Sequence, residues 1–393
     1  MKTFNQEFSR KMWSMLAIVL ISSLTFASCK DAKKEVTVDN PVQIVDASTK
    51  IQVALLLDTS GSMDGLIDQA KSRLWNIVNT LTTLKYEGKT PTIEIALYEY
   101  GNSGLSERSN YIRQIAALTT DLDLISQELF SLTIDGGEEY CGAVIQDAVT
   151  KLEWSKDSKN MRLIYIAGNE GFDQGRINYK EAISGALKND IFVNTIYCGN
   201  SREGIELLWK SGADYGKGKY FNIDSDEQIR YIETPYDDQI SSYNTKLNDT
   251  YIGYGSKGVE KKRNQVAQDA NAESVSTSNS AERSVSKSKA VYKNESWDLV
   301  DKVKEDKNAV AKIKKEDLPK ELQDKSTAEI KVIVDKKTAE RKEIQKSIEE
   351  LAKKRQNYID VESKKTKTQD DLGNAISTSI VTFAKVKGYT VEK

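Results

Sequence analysis

The strongest constraint on the fold is an alternation between two kinds of segment that begins near residue 49. Apolar runs of strand length occur at residues 51–57, 92–98, 111–118, 162–167, 191–198 and 219–223. Between most of these runs, apolar residues recur with helical spacing. Continuous apolar strands that alternate with helices are typical of a parallel sheet covered on both faces. The pattern therefore predicts an α/β fold with a doubly wound, mostly parallel sheet.

One connection between strands does not fit a helical crossover. The stretch EYGNSGLSERSN, between the second and third runs, is rich in turn-forming residues. A short turn-rich link suits a hairpin, which joins antiparallel strands. We therefore expect one antiparallel strand at an edge of the sheet.

The sequence changes character after the last strand run. Residues 236–272 are predicted to form a helical extension, and the Ser-rich, charged residues 273–290 a flexible linker. Residues 291–393 are charged and helical, with a capping box at Ser326 and Glu329. Two narrow apolar seams in this last segment predict a helical hairpin or coiled coil.

The N-terminus resembles an export signal. Two basic residues precede an apolar run at residues 15–26, which is too short for a membrane-spanning anchor. Small residues and then Cys29 follow, as in bacterial lipoprotein signals, where the cysteine is lipid-modified. The resemblance implies a signal peptide at residues 1–28, a lipid anchor on Cys29, a tether at residues 29–48, and an outer-membrane lipoprotein of a Gram-negative bacterium. An ordinary secretory signal with a chance cysteine is the alternative.

Composition excludes several kinds of catalytic and binding site. The sequence contains no histidine, so Ser-His-Asp catalysis, Cys-His catalysis and His-ligated zinc sites are ruled out. The net charge is −2, which provides no overall field that attracts nucleic acid. We expect no nucleic-acid partner.

The first strand run ends in a polar sequence, IQVALLLDTSGSM. In parallel α/β sheets, ligands bind beyond the carboxyl ends of strands, where the strand order reverses. Asp58, Ser60 and Ser62 are two residues apart, so their side-chain oxygens can converge on one point. Such hard ligands suit Mg²⁺, Mn²⁺ or Ca²⁺ rather than zinc. A helix N-cap without a ligand is the alternative interpretation.

D-x-S-x-S after an apolar strand resembles the von Willebrand factor A domain family, whose metal-ion-dependent adhesion site begins with this motif. The resemblance covers residues 49–235, and the order of strands and helices fits it. It implies a divalent cation, Mg²⁺ first with Mn²⁺ or Ca²⁺ as alternatives, and a protein partner that supplies an acidic side chain. Two other classes fail at the residue level: haloacid-dehalogenase phosphatases require D-x-D, and the extra serine breaks the D-T-G-S of aspartic proteases.

The other two loops of this site depart from the family. DGGEEY places Glu138 where the family has a threonine, with Glu139 beside it. IYIAGNEGF places Gly168 where the family has an aspartate. One hydroxyl has therefore become a carboxylate, and one carboxylate has been lost.

Two hypotheses follow for these loops. In the first, the carboxylate has moved across the site, so that Asp58 and Glu138 supply the charge and another loop adds a neutral or water-mediated oxygen. The predicted metal ligands are then Asp58, Ser60, Ser62, Glu138, Asn169 and Glu170. In the second hypothesis the site binds no metal, and the surface serves partner binding alone.

The two cysteines that follow Cys29 are expected near this site. Cys141 follows the second loop and Cys198 ends the fifth strand run, so both lie at the same predicted edge of the sheet. An exported protein can retain disulfides. We expect a Cys141–Cys198 bond, with two separate thiols as the alternative.

These features predict a lipid-anchored cell-envelope protein that binds a protein partner and is not an enzyme. One alternative is a structural protein that acts through its helical region. Another is a metal-dependent hydrolase in which Asp58, with Glu138 or Glu139, is the general base. Candidates for the rim of the site are Met63, Tyr140, Phe172 and Arg176.

Overall fold

The computed structural model describes residues 49–224, 231–365 and 372–392. The strands are β1 (Lys50–Asp58), β2 (Leu84–Lys85), β3 (Thr92–Tyr100), β4 (Ile112–Thr119), β5 (Met161–Gly168), β6 (Phe192–Cys198), β7 (Lys217–Ile223) and β8 (Thr390–Val391). The helices are α1 (Asp64–Thr82), α2 (Leu122–Ser131), α3 (Cys141–Lys151), α4 (Tyr179–Lys188), α5 (Ser201–Glu206), α6 (Trp209–Tyr215), α7 (Asp237–Asn248), α8 (Gly258–Val275), α9 (Thr277–Ser288), α10 (Leu299–Glu305), α11 (Ala309–Lys312), α12 (Lys320–Gln323), α13 (Thr327–Ser363) and α14 (Leu372–Val386). Short 3₁₀ turns lie at Glu107–Ser109 and Lys315–Asp317.

Six strands form one sheet in the order β4-β3-β1-β5-β6-β7. All neighbouring strands are parallel except β3 and β4, whose connection is short and turn-rich. The predicted mostly parallel sheet with one antiparallel edge strand is therefore confirmed. The pairing register places Asp58 beside Tyr100 of β3 and Leu57 beside Ala167 of β5, so the three strands end at one edge.

The apolar run of β1 is continuous because both faces of the sheet are covered. Leu55 and Leu57 belong to one hydrophobic core, whereas Ala54 and Leu56 belong to another. We call these sides the first face and the second face. Helices α1, α2 and α14 pack over the first face, and α3, α4 and α6 pack over the second.

The helices after residue 235 belong to the same compact unit as the sheet instead of forming a separate arm. Residues 47–393 form one compact unit. Helix α14 packs on α1 and on β5, β6 and β7, and β8 pairs with β2. Helix α13 packs mainly against α7, α9 and α10. The predicted hairpin or coiled coil of the last two helices is therefore corrected, because their apolar seams face other elements.

The Ser-rich segment predicted to be a flexible linker, residues 273–290, contains a buried helix. Nine of the 12 residues of α9 are buried, including Arg283 and Lys287. Serine side chains are small enough to let α9 approach α1, α7 and α8 closely. Their hydroxyls also find partners inside the helix, as Ser284 does with the carbonyl oxygen of Ser280 at 2.8 Å. Composition alone does not distinguish such a helix from a solvated linker.

No disulfide joins Cys141 to Cys198, contrary to the prediction. Cys198 belongs to the core of the first face and Cys141 to the core of the second, so the sheet lies between them. Strand alternation gives the reason, because Cys198 shares its face with Ile196 whereas Tyr197 points to the other side. Sharing an edge of the sheet is therefore not enough to bring the two sulfur atoms together.

The predicted signal peptide, the lipid-modified Cys29 and the tether fall at residues 1–48, outside the described residues. They stay predictions. Within the described ranges, no helix combines the length and the apolar character needed to cross a bilayer.

Candidate functional site

The carboxyl ends of three neighbouring strands define the candidate site. Asp58 is the last residue of β1, Gly101 follows β3, and Gly168 is the last residue of β5. The segment at residues 132–140 approaches the same edge before α3 begins. Because the strand order reverses around β1, this edge is where ligands bind in sheets of this class.

Glycine lets the segment at residues 132–140 lie directly on the loop after β3. A Cβ atom at Gly137 would lie only 2.4 Å from the carbonyl oxygen of Gly101, so a larger residue would push the segment away. The side chain of Asn102 donates a hydrogen bond to the carbonyl oxygen of Thr133 at 2.9 Å. These contacts explain the glycine at position 137 and fix the position of the glutamates that follow it.

Asp58 and Glu139 are the two buried carboxylates of the site, with exposed fractions of 0% and 6%. Both side chains lie against Gly101. A Cβ atom there would lie 2.8 Å from Asp58 Oδ1 and 2.8 Å from Glu139 Cγ. Gly101 also has a φ of 81°, which favours glycine. The missing side chain therefore leaves room for the two carboxylates to share one space.

Burial raises the pKa of both carboxyl groups. It raises the pKa of Asp58 to about 7, against the opposing effect of the hydrogen bond from the Ser60 backbone N–H to Asp58 Oδ1 at 2.8 Å. Burial and then the charge of Asp58 raise the pKa of Glu139 to about 8. No Lys or Arg in the described parts of the chain forms an ion pair with either group. The pair therefore lacks a positive charge that would stabilise its ionised form.

Four buried polar atoms around Asp58 have no hydrogen-bond partner among the described residues: Asp58 Oδ2, Ser60 Oγ, Glu139 Oε2 and Asn169 Oδ1. The Ser60 hydroxyl is close enough to both carboxyl groups to lower their pKa values, yet it makes no hydrogen bond of normal geometry. Buried polar atoms are nearly always hydrogen-bonded. The four oxygens are therefore available to hold a ligand.

The chemistry of these atoms fits a hard divalent cation, because all four are oxygens. In the described part of the chain, no three His, Cys, Asp or Glu side chains are grouped closely enough to hold a metal ion. A cation would therefore need the serine and asparagine oxygens as well as the two carboxylates. That mixed donor set is the kind expected from the D-x-S-x-S motif.

The other predicted ligands lie nearer the surface. Asn169 Nδ2 donates a hydrogen bond to Ser62 Oγ at 3.0 Å. Glu170 is exposed, and its negative charge raises the pKa of both buried carboxyl groups. Glu138, the glutamate predicted as a ligand, is exposed to solvent, whereas its neighbour Glu139 is buried. The buried carboxylate beside Asp58 is therefore the residue that follows the predicted ligand.

No side chain fits at Gly168, where the family resemblance places an aspartate. A Cβ atom there would lie 2.5 Å from the hydroxyl oxygen of Tyr100 and 2.9 Å from Asp58 Oδ2. Tyr100 is fully buried and donates a hydrogen bond to the carbonyl oxygen of Ala167 at 3.0 Å. Tyr100 is not among the predicted site residues, because the predicted strand run ends at residue 98 whereas β3 continues to residue 100.

The predicted rim residues divide into two pairs. Met63 and Phe172 are 1% and 0% exposed and belong to the hydrophobic cores, which corrects their assignment to the rim. Tyr140 is partly exposed and Arg176 is exposed. The Tyr140 ring packs edge-on against Tyr111, with centroids 6.1 Å apart. The aromatic surface beside the site is therefore formed by two tyrosines.

Three solved structures are similar to part of this chain. An aerotolerance-related membrane protein from Bacteroides fragilis is 18% identical, with 44% of this chain and 92% of that chain covered and a TM-score of 0.33. Proximal thread matrix protein 1 from the mussel byssus, described with a zinc-occupied MIDAS motif, is 14% identical over 47% and 44% of the two chains, with a TM-score of 0.35. The pilus adhesin SpaC from Lactobacillus rhamnosus GG is 12% identical over 45% and 28%, with a TM-score of 0.33.

The family assignment rests on the sequence match and on the topology of the sheet. No curated protein matches the sequence. The family model for the von Willebrand factor type A domain matches residues 52–235. Apart from the first two residues of β1, the same range contains the six-stranded sheet with its antiparallel edge strand. Residues 52–235 are therefore a von Willebrand factor type A domain.

Proposed function

We propose that this domain binds one divalent cation beside Asp58 and Glu139 and uses it to bind an acidic side chain of a protein partner. The observation that carries the proposal is the group of four unpartnered buried oxygens at the carboxyl edge of the sheet. The residues that would hold the ion are Asp58, Ser60, Ser62, Glu139 and Asn169. Mg²⁺ is the first candidate, with Mn²⁺ and Ca²⁺ as alternatives.

A divalent cation at this edge would supply a concentrated positive charge that attracts a carboxylate. The residues of the chain position the ligands of the ion and set the charge around it. Gly137 and Asn102 hold the loop that positions Glu139, and Glu170 adds negative charge at the surface. Because ligand carboxylates must be deprotonated, we expect ion uptake to release protons at neutral pH.

The proposed activity is reversible binding, and we assign no chemical step to the site. The chain has no histidine, and the two buried carboxylates are both needed to neutralise the ion. Tyr140, Tyr111 and Arg176 are near the loops of the site and offer contacts to a protein surface. Aromatic residues and arginine are the types enriched at protein interfaces.

Calorimetry tests the metal site directly. Mg²⁺, Mn²⁺ and Ca²⁺ are titrated into the purified protein at pH 7.5, and the experiment is repeated with Asp58→Ala. We expect about one ion per chain, no binding by the variant, and a heat that depends on the ionisation enthalpy of the buffer because protons are released. No heat and no thermal stabilisation with any of the three ions would overturn the metal proposal.

A capture experiment tests the partner class. Beads that carry a Glu-rich peptide and beads that carry the matched Gln-rich peptide are incubated with the Mg²⁺-loaded protein. We expect retention on the Glu-rich beads alone, and release by EDTA. Equal retention on both beads would overturn recognition through an acidic side chain while leaving the metal site intact.

We further propose that the protein is lipid-anchored in the cell envelope, exported by residues 1–28 and modified on Cys29. The support is the sequence alone, namely the short apolar run followed by small residues and a cysteine. Membrane fractionation of wild type and Cys29→Ser in a Gram-negative host tests it. We expect the variant to leave the membrane fraction, and a variant that stays there would overturn the anchor.

A further inference from the structure

A cavity of about 770 Å³ lies among the helices that follow the sheet domain. It is bounded by α10, the middle of α13, and the segment between α9 and α10. Its volume falls within the range of small-molecule sites. None of the residues of the candidate metal site lines it.

The floor of the cavity is aromatic and held in place. Tyr251 and Tyr292 are 3% and 7% exposed, and both line the cavity. Trp297 stacks on Tyr251 with ring centroids 5.8 Å apart, and the guanidinium of Arg341 lies 3.9 Å from the centroid of the Tyr251 ring. Arg341 is itself fixed by an ion pair with Asp298 at 2.8 Å. A floor that is rigid before binding loses little entropy when a ligand arrives.

The rim carries more unpaired positive charge than negative charge. Five lining lysines form no ion pair with any described residue: Lys289, Lys293, Lys304, Lys342 and Lys346. Three of the five lining carboxylates are already in ion pairs with a neighbouring Lys or Arg. Glu295 and Glu343 form no ion pair within the described ranges, and Asp301 shares the single charge of Arg341 with Asp298. At most three negative charges therefore offset the five lysines.

The lysines come from three different elements, so their proximity is a property of the fold. Lys342 and Lys346 are four residues apart on α13 and therefore lie on one side of it. Lys304 belongs to α10, and Lys289 and Lys293 follow α9. Like charges held together repel, and an anion between them removes that repulsion. The apolar stems of the lysines also extend the apolar wall toward the charged ends.

We propose that this cavity binds a small organic anion with an apolar body. The aromatic floor receives the apolar body, and the lysine ammonium groups bind the carboxylate, sulfonate or phosphate group. The proposal is independent of the metal site, because the two sites share no residue.

Fluorescence titration with anilinonaphthalene sulfonate tests the proposal, because this probe has an aromatic body and a single anionic group. The charge-reversal variant is Lys342→Glu/Lys346→Glu. The matched control is Lys331→Glu/Lys354→Glu, which makes the same change of net charge on exposed positions of α13 outside the cavity lining. We expect the cavity variant to bind the probe at least about tenfold more weakly, as loss of two charge-assisted contacts implies. We expect the control to bind like wild type.

Competition distinguishes an anion site from a merely apolar surface. Dodecanoate is expected to displace the probe, whereas dodecyltrimethylammonium, with the same chain and the opposite charge, is not. Thermal unfolding of each variant establishes that weaker binding does not result from loss of the fold. Equal loss of affinity in both double variants, equal displacement by both amphiphiles, or no probe binding to the folded protein would each overturn the proposal.

Discussion

The sheet edge and the helical layer of α7–α13 both bury carboxylates, but only the helical layer supplies each one with a positive partner. Asp269 contacts Arg283 at 2.6 Å and Lys287 at 2.9 Å. Arg355 contacts Asp237 at 2.7 Å in the same layer. At the sheet edge, Asp58 lies beside a second carboxylate, and no Lys or Arg in the described ranges forms an ion pair with either.

The pKa values of Asp58 and Asp269 move in opposite directions for this reason. Burial alone would raise the pKa of Asp269, but the charges of Arg283 and Lys287 hold it well below its usual range. Burial raises the pKa of Asp58 to about 7, and no cation reverses the effect. Buried charge that is paired within the chain serves the fold. A buried carboxylate that has no cation partner within the chain is a candidate functional site.

The largest expected effect tests whether the C-terminal helices are part of the core or a separate arm. Deleting residues 366–393 removes α14 and β8. The large buried apolar side chains that this deletion removes from the first-face core are Leu372, Ile376, Ile380, Phe383 and Tyr389. Each buried side chain contributes about 1.5–3 kcal/mol. The stabilisation lost with all of them is comparable to a typical folding free energy of about 5–15 kcal/mol. We expect no cooperative thermal transition by circular dichroism.

A truncated protein that unfolded cooperatively within a few degrees of wild type would show that the helical region is an independent arm. Removal of Glu392 and Lys393 alone is the control, because Glu392 is exposed and terminal. This expectation also means that deleting the whole helical region is not a clean test of its role in partner binding.

The next largest effect compares one substitution across the two regions. Asp269→Asn leaves Lys287 buried without a full counter-charge and removes one of two partners of Arg283. We expect a loss of about 3–5 kcal/mol in the unfolding free energy, as for other broken buried ion pairs. Urea unfolding at pH 7 measures it. Asp214→Asn, which breaks an exposed pair with Lys210, is the control and should change stability by at most about 1 kcal/mol.

The same change from Asp to Asn at the sheet edge is expected to raise the unfolding free energy instead of lowering it. Asp58 has a folded-state pKa of about 7, above its ordinary value of 3.8. The folded protein therefore holds a proton that the unfolded chain releases between these pH values, and the unfolding free energy falls as the pH rises through this window. With EDTA present, we expect a fall of about 2–4 kcal/mol between pH 4 and pH 8, and a smaller fall in Asp58→Asn.

Above pH 7 the Asp58→Asn variant should therefore be more stable than wild type without metal, and Mg²⁺ should stabilise wild type alone. If Asp58→Asn were as destabilising at pH 8 as Asp269→Asn, the contrast between the two regions would be lost. Asp58 would then be a satisfied structural residue.

Local sequence signals predicted the elements that depend on local chemistry. The apolar run that ends at Asp58 is β1, and Ser326 and Glu329 form the predicted capping box, with Ser326 N donating to Glu329 Oε2 at 2.8 Å. The antiparallel edge strand followed from the turn-rich link. Each of these features is decided by residues close together in the chain.

Features that depend on distant packing were not predictable in the same way. Helix α9 is polar by composition, and its burial requires the ion-pair partners Asp123 and Asp269 from two other helices. Helix α14 covers β5, β6 and β7, although a long stretch of chain separates it from them. The two cysteines share an edge of the sheet, but the sequence does not say that they lie on opposite faces.

The one-residue shift from Glu138 to Glu139 has a local cause. Successive side chains of a nonhelical segment point in different directions, so an alignment anchored on the following helix does not fix which glutamate turns inward. The close approach of Gly137 to the carbonyl oxygen of Gly101 determines which glutamate turns inward. That contact involves a loop that is distant in sequence. The sequence shows that two adjacent glutamates follow Gly-Gly, but it does not show which of the two is buried.

The smallest expected effect tests that choice and compares two neighbouring residues. Glu139→Gln removes a buried carboxylate beside Asp58, whereas Glu138→Gln changes an exposed side chain. We expect Glu139→Gln to weaken Mg²⁺ binding by about tenfold or more, since one charge-assisted contact is worth roughly 1.5–3 kcal/mol. We expect Glu138→Gln to change the affinity by less than about threefold, because an exposed charge is screened by solvent. Calorimetry at pH 7.5 measures both. The reverse order would return the second carboxylate to Glu138 and would mean that the loop rotates when the ion binds, and equal weak effects would leave Asp58 as the only charged ligand at the sheet edge.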